Sequence, residues 1–127
     1  MKVEGAGIAG PDQGSADKLD GESACRFAEA LVSAALSISL SELRGRRRGS
    51  ASTAFARQTA MYLAHVHAGL SLSQVGKNFS RDRTTVAHAC ARVEDSRDEA
   101  NFERVLTCLE AAFERWHQDF HAAEAAP

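Results

Sequence analysis

The chain has 127 residues, 44% of them hydrophobic, with a formal net charge of −2. That length suits one domain with a real core, and the composition is ordinary for a soluble globular protein. No apolar run is long enough to span a bilayer and no basic-then-apolar block opens the chain, so a soluble, cytoplasmic protein without a signal peptide is expected.

Residues 1–21 contain five glycines and a proline. They offer too little apolar surface to offset ordering entropy, and a flexible tail is expected there. The domain proper is expected over residues 22–123, followed by a short tail over 124–127. A first helix should start near Gly21 to Ser23, since Phe27, Leu31, Ala34 or Ala35, and Ile38 recur at helical spacing. Ser39 and Ser41 are cap candidates for a short helix ending near Arg44, with Leu40 and Leu43 pointing inward.

Gly45-Arg-Arg-Arg-Gly-Ser50 reads as a loop, because glycines flank a charge run. A helix from about Thr53 to His67 follows, with Phe55, Thr59, Tyr62, Leu63 and Val66 on its apolar face and Gly69 placed to stop it. Leu70 to Phe79 predicts a short helix capped by Ser71, with Leu72, Val75 and Phe79 buried. Gly76 on that helix permits close approach of a neighbour.

After a tight turn a second helix begins at Asp82, whose carboxylate can cap it. Val86, Ala89 or Cys90, and Val93 face the core, which leaves Thr84, Thr85, Ala87, His88 and Ala91 on other faces. The last helix, about Ala100 to Ala123, carries a long apolar stripe of Phe102, Val105, Leu106, Leu109, Phe113, Trp116 and Phe120. Core packing is the favoured reading of that stripe, and a seam for a homodimer or another protein partner is the alternative. Without a strand-period segment, the fold class is all-α.

Two short helices joined by a tight turn at about 71–95, the second opening on Arg81-Asp-Arg-Thr-Thr85, form a helix-turn-helix suited to the DNA major groove. The charge pattern agrees. Residues 44–92 hold nine basic side chains against one acid, Asp82, while the rest of the chain holds six basic and sixteen acidic residues. A basic middle between acidic ends attracts phosphate even when the total charge is slightly negative.

Arg83 can make a paired contact with guanine. Thr84 and Thr85 offer hydroxyls and methyls to base edges and phosphate. Asp82 either accepts from cytosine or, as favoured here, only caps the helix. His88 lies one turn along, within reach of phosphate or simply at the surface. Arg46, Arg47 and Arg48 can follow a groove or the phosphate backbone from their loop, and Arg57 and Lys77 add phosphate contacts.

Cys25, Cys90 and Cys108 lack metal-ligand spacing and read as small buried hydrophobes in a reducing cytosol. His117 and His121 lie four apart on a helix, but no third ligand stands at convincing spacing, so no metal site is assigned. No nucleophile–base constellation stands out, and neither catalysis nor a cofactor is expected.

The segment from about Ile38 to Asp95 resembles the C-terminal DNA-binding domain of the bacterial chromosomal replication initiator DnaA. The matching pieces are Ser41-Glu-Leu43, Ala56-Arg-Gln-Thr-Ala-Met-Tyr-Leu-Ala64, Ser71-Leu-Ser-Gln-Val-Gly76 and Arg81-Asp-Arg-Thr-Thr-Val-Ala-His-Ala-Cys90. The last is close to the family signature Arg-Asp-His-Thr-Thr-Val-x-His-Ala. The resemblance implies recognition of a short duplex element, the DnaA box, through the major groove, with minor-groove contact from the basic loop. Arg81, Asp82, Arg83, Thr84, Thr85 and His88 then form one run of candidate DNA-binding residues.

The chain departs from the family pattern at three places. Arg83 replaces the family histidine, Ser80 alone fills a turn that usually has two glycines, and Phe55 takes the position of the family's minor-groove arginine, two residues before Arg57. Arg46 to Arg48 are the available substitutes for that arginine. No Gly-x-x-x-x-Gly-Lys-Ser/Thr loop is present, so neither ATP binding nor origin melting is expected, and the chain reads as a stand-alone copy of the domain.

The expected function is sequence-specific binding of double-stranded DNA at DnaA-box-like sites, modulating replication initiation or transcription in the nucleoid. A protein-interaction module with weak or non-specific DNA binding is the alternative, favoured by Phe55, the short turn and the apolar stripe.

Overall fold

A computed structural model of the chain describes the backbone of residues 11–45 and 49–125. Among the described residues there are six helices and no strand: α1 (Pro11–Leu36), α2 (Leu40–Arg44), α3 (Ala51–His67), α4 (Leu72–Phe79), α5 (Arg83–Ser96) and α6 (Ala100–Ala125).

α1 begins about ten residues before the expected start, inside the segment read from composition as a tail. Pro11 suits a first helical position, where its fixed φ and missing N–H cost nothing. The helix stops at Leu36, and Ser37 adopts a left-handed φ of 57°, so Ile38 lies beyond α1 rather than on it. Ser39 caps α2 through a reciprocal box with Glu42.

α3 is the central helix. Ala56, Thr59, Ala60, Met61, Leu63 and Ala64 are all buried, leaving little of its surface to water, as expected of a helix packed on several sides. Its small side chains let α1 lie close, with Cys25, Ala28 and Val32 fully buried. Val75 and Phe79 of α4, Val86, Ala89 and Val93 of α5, and Leu106, Leu109 and Phe113 of α6 complete one core. Burial pushes the Cys25 thiol up to about 12, which leaves it inert at neutral pH. Cys90 is half-buried, and Cys108 is exposed, correcting the expectation that all three cysteines lie inside.

The stripe on α6 divides in two. Leu106, Leu109 and Phe113 enter the core, and Trp116 stacks on Phe27 of α1 with ring centroids 4.4 Å apart. Val105 is 38% exposed, and Leu40 and Val66, also expected inward, are 36% and 47% exposed. The 3.6-residue period carries each of them past the edge of the buried face of its helix.

A polar network ties α6 to α3 and α5. Arg97 donates to Glu103 (Nε to Oε1, 2.7 Å) and Glu110 (Nη2 to Oε1, 2.9 Å), and to the Tyr62 hydroxyl at 3.0 Å. Tyr62 in turn donates to Glu94 at 2.7 Å. Bidentate, charge-assisted contacts of this kind fix orientation as well as adding energy.

Candidate nucleic-acid interface

α4 and α5 form the two-helix motif, and their local sequence dictates the geometry. Ser71 and Gln74 make a capping box: the Ser71 hydroxyl accepts from the Gln74 N–H at 3.1 Å, and the Gln74 side chain accepts from the Ser71 N–H at 2.8 Å. α4 ends at Ser80, which takes the left-handed conformation (φ 56°, ψ 45°). That single residue makes the turn, at a cost of about 1–2 kcal/mol for a side chain in this region.

The Arg81 N–H then donates to the Gly76 carbonyl at 2.9 Å. A Cβ on Gly76 would overlap the Arg81 carbonyl oxygen, so the absence of a side chain lets α4 and the start of α5 meet.

Asp82 is the N-cap of α5, accepting from the Thr85 N–H at 2.8 Å. Hydrogen bonds from the Thr85 backbone, then from its hydroxyl, hold the Asp82 carboxyl below its ordinary range. Val86, Ala89 and Val93 pin α5 to the core. Opposite them, Arg83, Thr84, Thr85, His88 and Ala91 are exposed, with Ala87 half-buried between. The outward face thus has polar groups in its first two turns and small residues around them, a profile that permits close entry into a groove. Lys77 is exposed in the last turn of α4.

Not every expected contact lies on this face. Arg57 is 4% exposed; its Nε donates to the Leu43 carbonyl at 2.8 Å and its Nη2 to the Glu42 carbonyl at 3.0 Å. Its assignment as a phosphate contact is therefore corrected: the guanidinium is taken up by carbonyls at the end of α2, that of Leu43 and that of Glu42, the latter also accepting from the Gly45 N–H at 3.2 Å. Burial, then the neighbouring Arg81 charge, lowers its pKa.

Arg81 is half-buried, donating to the Phe79 and Ser80 carbonyls at 3.1 and 3.2 Å and to the Gly45 carbonyl at 3.2 Å. It ties the stem of the basic loop to the turn between α4 and α5. Arg46, Arg47 and Arg48 lie outside the described residues.

A second anchor of that stem, not singled out by any motif in the sequence, is Glu29. Glu29, 3% exposed on α1, pairs with Arg26 at 3.0 Å and Arg44 at 2.9 Å, and Arg26 also donates to the Asn78 carbonyl of α4 at 2.7 Å. Glu29 follows the apolar spacing of α1, and a carboxylate at a core position is a sign of a buried pair. Phe55 is half-buried, its ring 4.9 Å from that of Phe102, with the Arg92 guanidinium 5.4 Å from its centroid. His117 and His121 bring their Nε2 atoms to 2.9 Å. Among the described residues no group of three or more His, Cys, Asp or Glu side chains is placed to hold a metal ion.

A family model described as the bacterial dnaA protein helix-turn-helix matches residues 29–93, from the middle of α1 to the last buried residue of α5. The chain belongs to that family. It is 37% identical over 76 residues to the chromosomal replication initiator protein DnaA of Thermoanaerobacter sp. (strain X514), covering 60% of this chain and 15% of that protein. Its likeness to the DnaA of Rippkaea orientalis is 38% over 63 residues, covering 49% of this chain and 14% of that protein. For the DnaA of Microcystis aeruginosa it is 37% over 65 residues, covering 50% and 14%.

The chain therefore spans about 15% of the length of the curated relatives it matches. Membership in the DnaA helix-turn-helix family supports binding of double-stranded DNA by this chain. Among the described residues no helix is long and apolar enough to cross a membrane.

Proposed function

We propose that this protein reads double-stranded DNA at DnaA-box-like sites and thereby modulates replication initiation or transcription, acting in the cytoplasm on the nucleoid and without ATPase activity. The observation that carries this reading is the exposed first turns of α5, where Arg83, Thr84, Thr85 and His88 project from a helix capped at Asp82 and fixed behind by Val86, Ala89 and Val93. Such a rigid display is what base reading requires.

In this reading Arg83 contacts guanine, Thr84 and Thr85 contact base edges and phosphate, and His88 and Lys77 contact phosphate. Asp82 positions the helix, Arg81 positions the loop stem, and Arg46 to Arg48 lie along the backbone or minor groove. Occupancy without nucleotide hydrolysis acts by competing for the site, recruiting a partner or bending the duplex.

Fluorescence anisotropy on a duplex with one DnaA box and on a scrambled duplex, at low and moderate salt, tests the proposal. A preference of about a hundredfold or more supports box reading, in keeping with specific protein–DNA complexes. Replacing Arg83 or Thr84 with alanine should then cost about 1–3 kcal/mol on the box and relax specificity.

One observation favours a second reading, a protein-interaction module with sequence-blind DNA affinity: Phe55 packs on Phe102 where the family pattern has a minor-groove arginine. Equal, salt-sensitive binding to both duplexes would support that reading and overturn the first.

A further inference from the structure

Sorting the arginines by what their guanidiniums already touch isolates two of them. Arg26 and Arg44 pair with Glu29, Arg57 and Arg81 donate to backbone carbonyls, and Arg97 holds Glu103 and Glu110. Arg104 donates to Asn101, and Arg115 pairs with Asp119. Among the described residues, Arg83 and Arg92 are the arginines left without an oxygen acceptor for the side chain, and both are exposed on α5.

Arg92 is nevertheless held in place. Its guanidinium lies over the Phe55 ring, 5.4 Å from the centroid, and Phe55 is itself braced by Phe102. Glu99, the acid that lines the adjoining cleft, accepts through Oε1 from the Phe102 N–H at 2.8 Å at the start of α6. Arg92 follows Thr85 and His88 at i+7 and i+4, so the three share one flank of α5. A side chain two turns along the flank of a groove-bound helix meets the wall of the groove, where the phosphates are.

We propose that Arg92 is a further DNA-contacting residue, a phosphate anchor on the flank of α5, with Phe55 as its positioning residue. The inference rests on the DNA-binding reading above. It gives Phe55 a task in that reading: where the family pattern places a cation on α3, this chain has an aromatic platform that aims a cation from α5. Stacking on an aromatic face reduces the rotamer freedom a long side chain must lose on binding.

The test is anisotropy with the full chain on the box and scrambled duplexes across a salt series, using Arg92→Ala, Arg92→Lys, Phe55→Leu and the Phe55→Leu/Arg92→Ala double variant. Thermal melting confirms that each is folded. Arg92→Ala should weaken both duplexes by the same factor and lower the salt slope by about one, while Arg92→Lys should keep the slope. Phe55→Leu should weaken binding about two- to fivefold, the equivalent of about 0.5–1 kcal/mol for an exposed cation–π contact, and should add nothing once Arg92 is alanine.

An unchanged slope in Arg92→Ala, with the wild-type chain binding DNA, overturns the anchor. Loss confined to the box duplex would make Arg92 a base reader and overturns it too. An equal effect of Phe55→Leu in both backgrounds overturns the positioning role. Failure of the wild-type chain to bind either duplex overturns the DNA reading itself.

Discussion

Replacing Arg57 with alanine separates a structural arginine from a DNA contact. The side chain is 4% exposed and donates to the Leu43 and Glu42 carbonyls at 2.8 and 3.0 Å. A hydrogen bond from a charged donor contributes about 1.5–3 kcal/mol, and a buried carbonyl left without a partner costs a further ~1–3 kcal/mol. The Glu42 carbonyl keeps the Gly45 N–H as a donor, which confines that second loss to the Leu43 carbonyl, and a net destabilisation of about 2–4 kcal/mol is expected. For a domain near 100 residues each kcal/mol moves Tm by roughly 4–8 °C, so a fall of about 10–30 °C should appear in thermal melting followed by circular dichroism.

DNA binding measured well below that midpoint should keep the wild-type salt slope, because no phosphate contact has been removed. Affinity should fall only as far as the α2 end and the loop stem loosen. Arg57→Ala melting with the wild type while losing about one unit of slope would show that Arg57 faces phosphate, and would refute the burial argument.

Gly76→Ala pits helix propensity against sterics. Alanine gains about 0.8–1 kcal/mol in a helix interior, but its Cβ would overlap the Arg81 carbonyl oxygen, and overpacking costs about 1–3 kcal/mol. A net loss of up to about 2 kcal/mol in urea unfolding is expected, with weaker box preference as α5 tilts; a stabilised variant would contradict the close approach. Asp82 gives an acid-side dependence. Its folded pKa is lowered by the Thr85 hydrogen bonds, so the stability it contributes is present above the unfolded value near 3.9 and is lost as pH falls through the lower folded value. Asp82→Asn keeps a capping oxygen, so the slope of stability against pH below about 4 should flatten, and an unchanged slope would remove Asp82 as its source.

Helix periodicity and capping residues make most of the fold legible in the sequence. Ser71, Asp82 and Ser39 cap as their types demand, and the helix-turn-helix follows from them. The misplacements share a cause. Composition judged residues 11–21 by their glycines, but a proline in the first turn is compatible with a helix start, and α1 begins there. Leu40, Val66 and Val105 show that apolar type does not say on which side of a helix the core ends. The geometry of the candidate site was legible at Asp82 to Thr85, where the aspartate caps α5 and the residues after it are exposed. It was not legible for Arg57 or Arg81, because an arginine that binds a carbonyl fourteen or thirty-six residues away looks in sequence like one that binds phosphate.

That ambiguity has a measurable consequence. Residues 44–92 hold nine basic side chains, and if each met a phosphate, log K would fall against log salt with a slope of about −8. Three of the nine are already committed: Arg44 to Glu29, Arg57 to the end of α2, and Arg81 to the Gly45 stem. Lys77, Arg83 and Arg92 are left among the described residues; if Arg46 to Arg48, outside the described residues, all met phosphate as well, about 0.9 per contact would set a ceiling near −5. Guanine contact by Arg83 would lower the magnitude further, since a base contact releases no condensed counterion. A measured slope between about −3 and −5 is therefore expected from the sorted arginines, whereas a slope near −8 would mean that guanidiniums seen bound to carbonyls and to Glu29 exchange those partners for phosphate when DNA arrives.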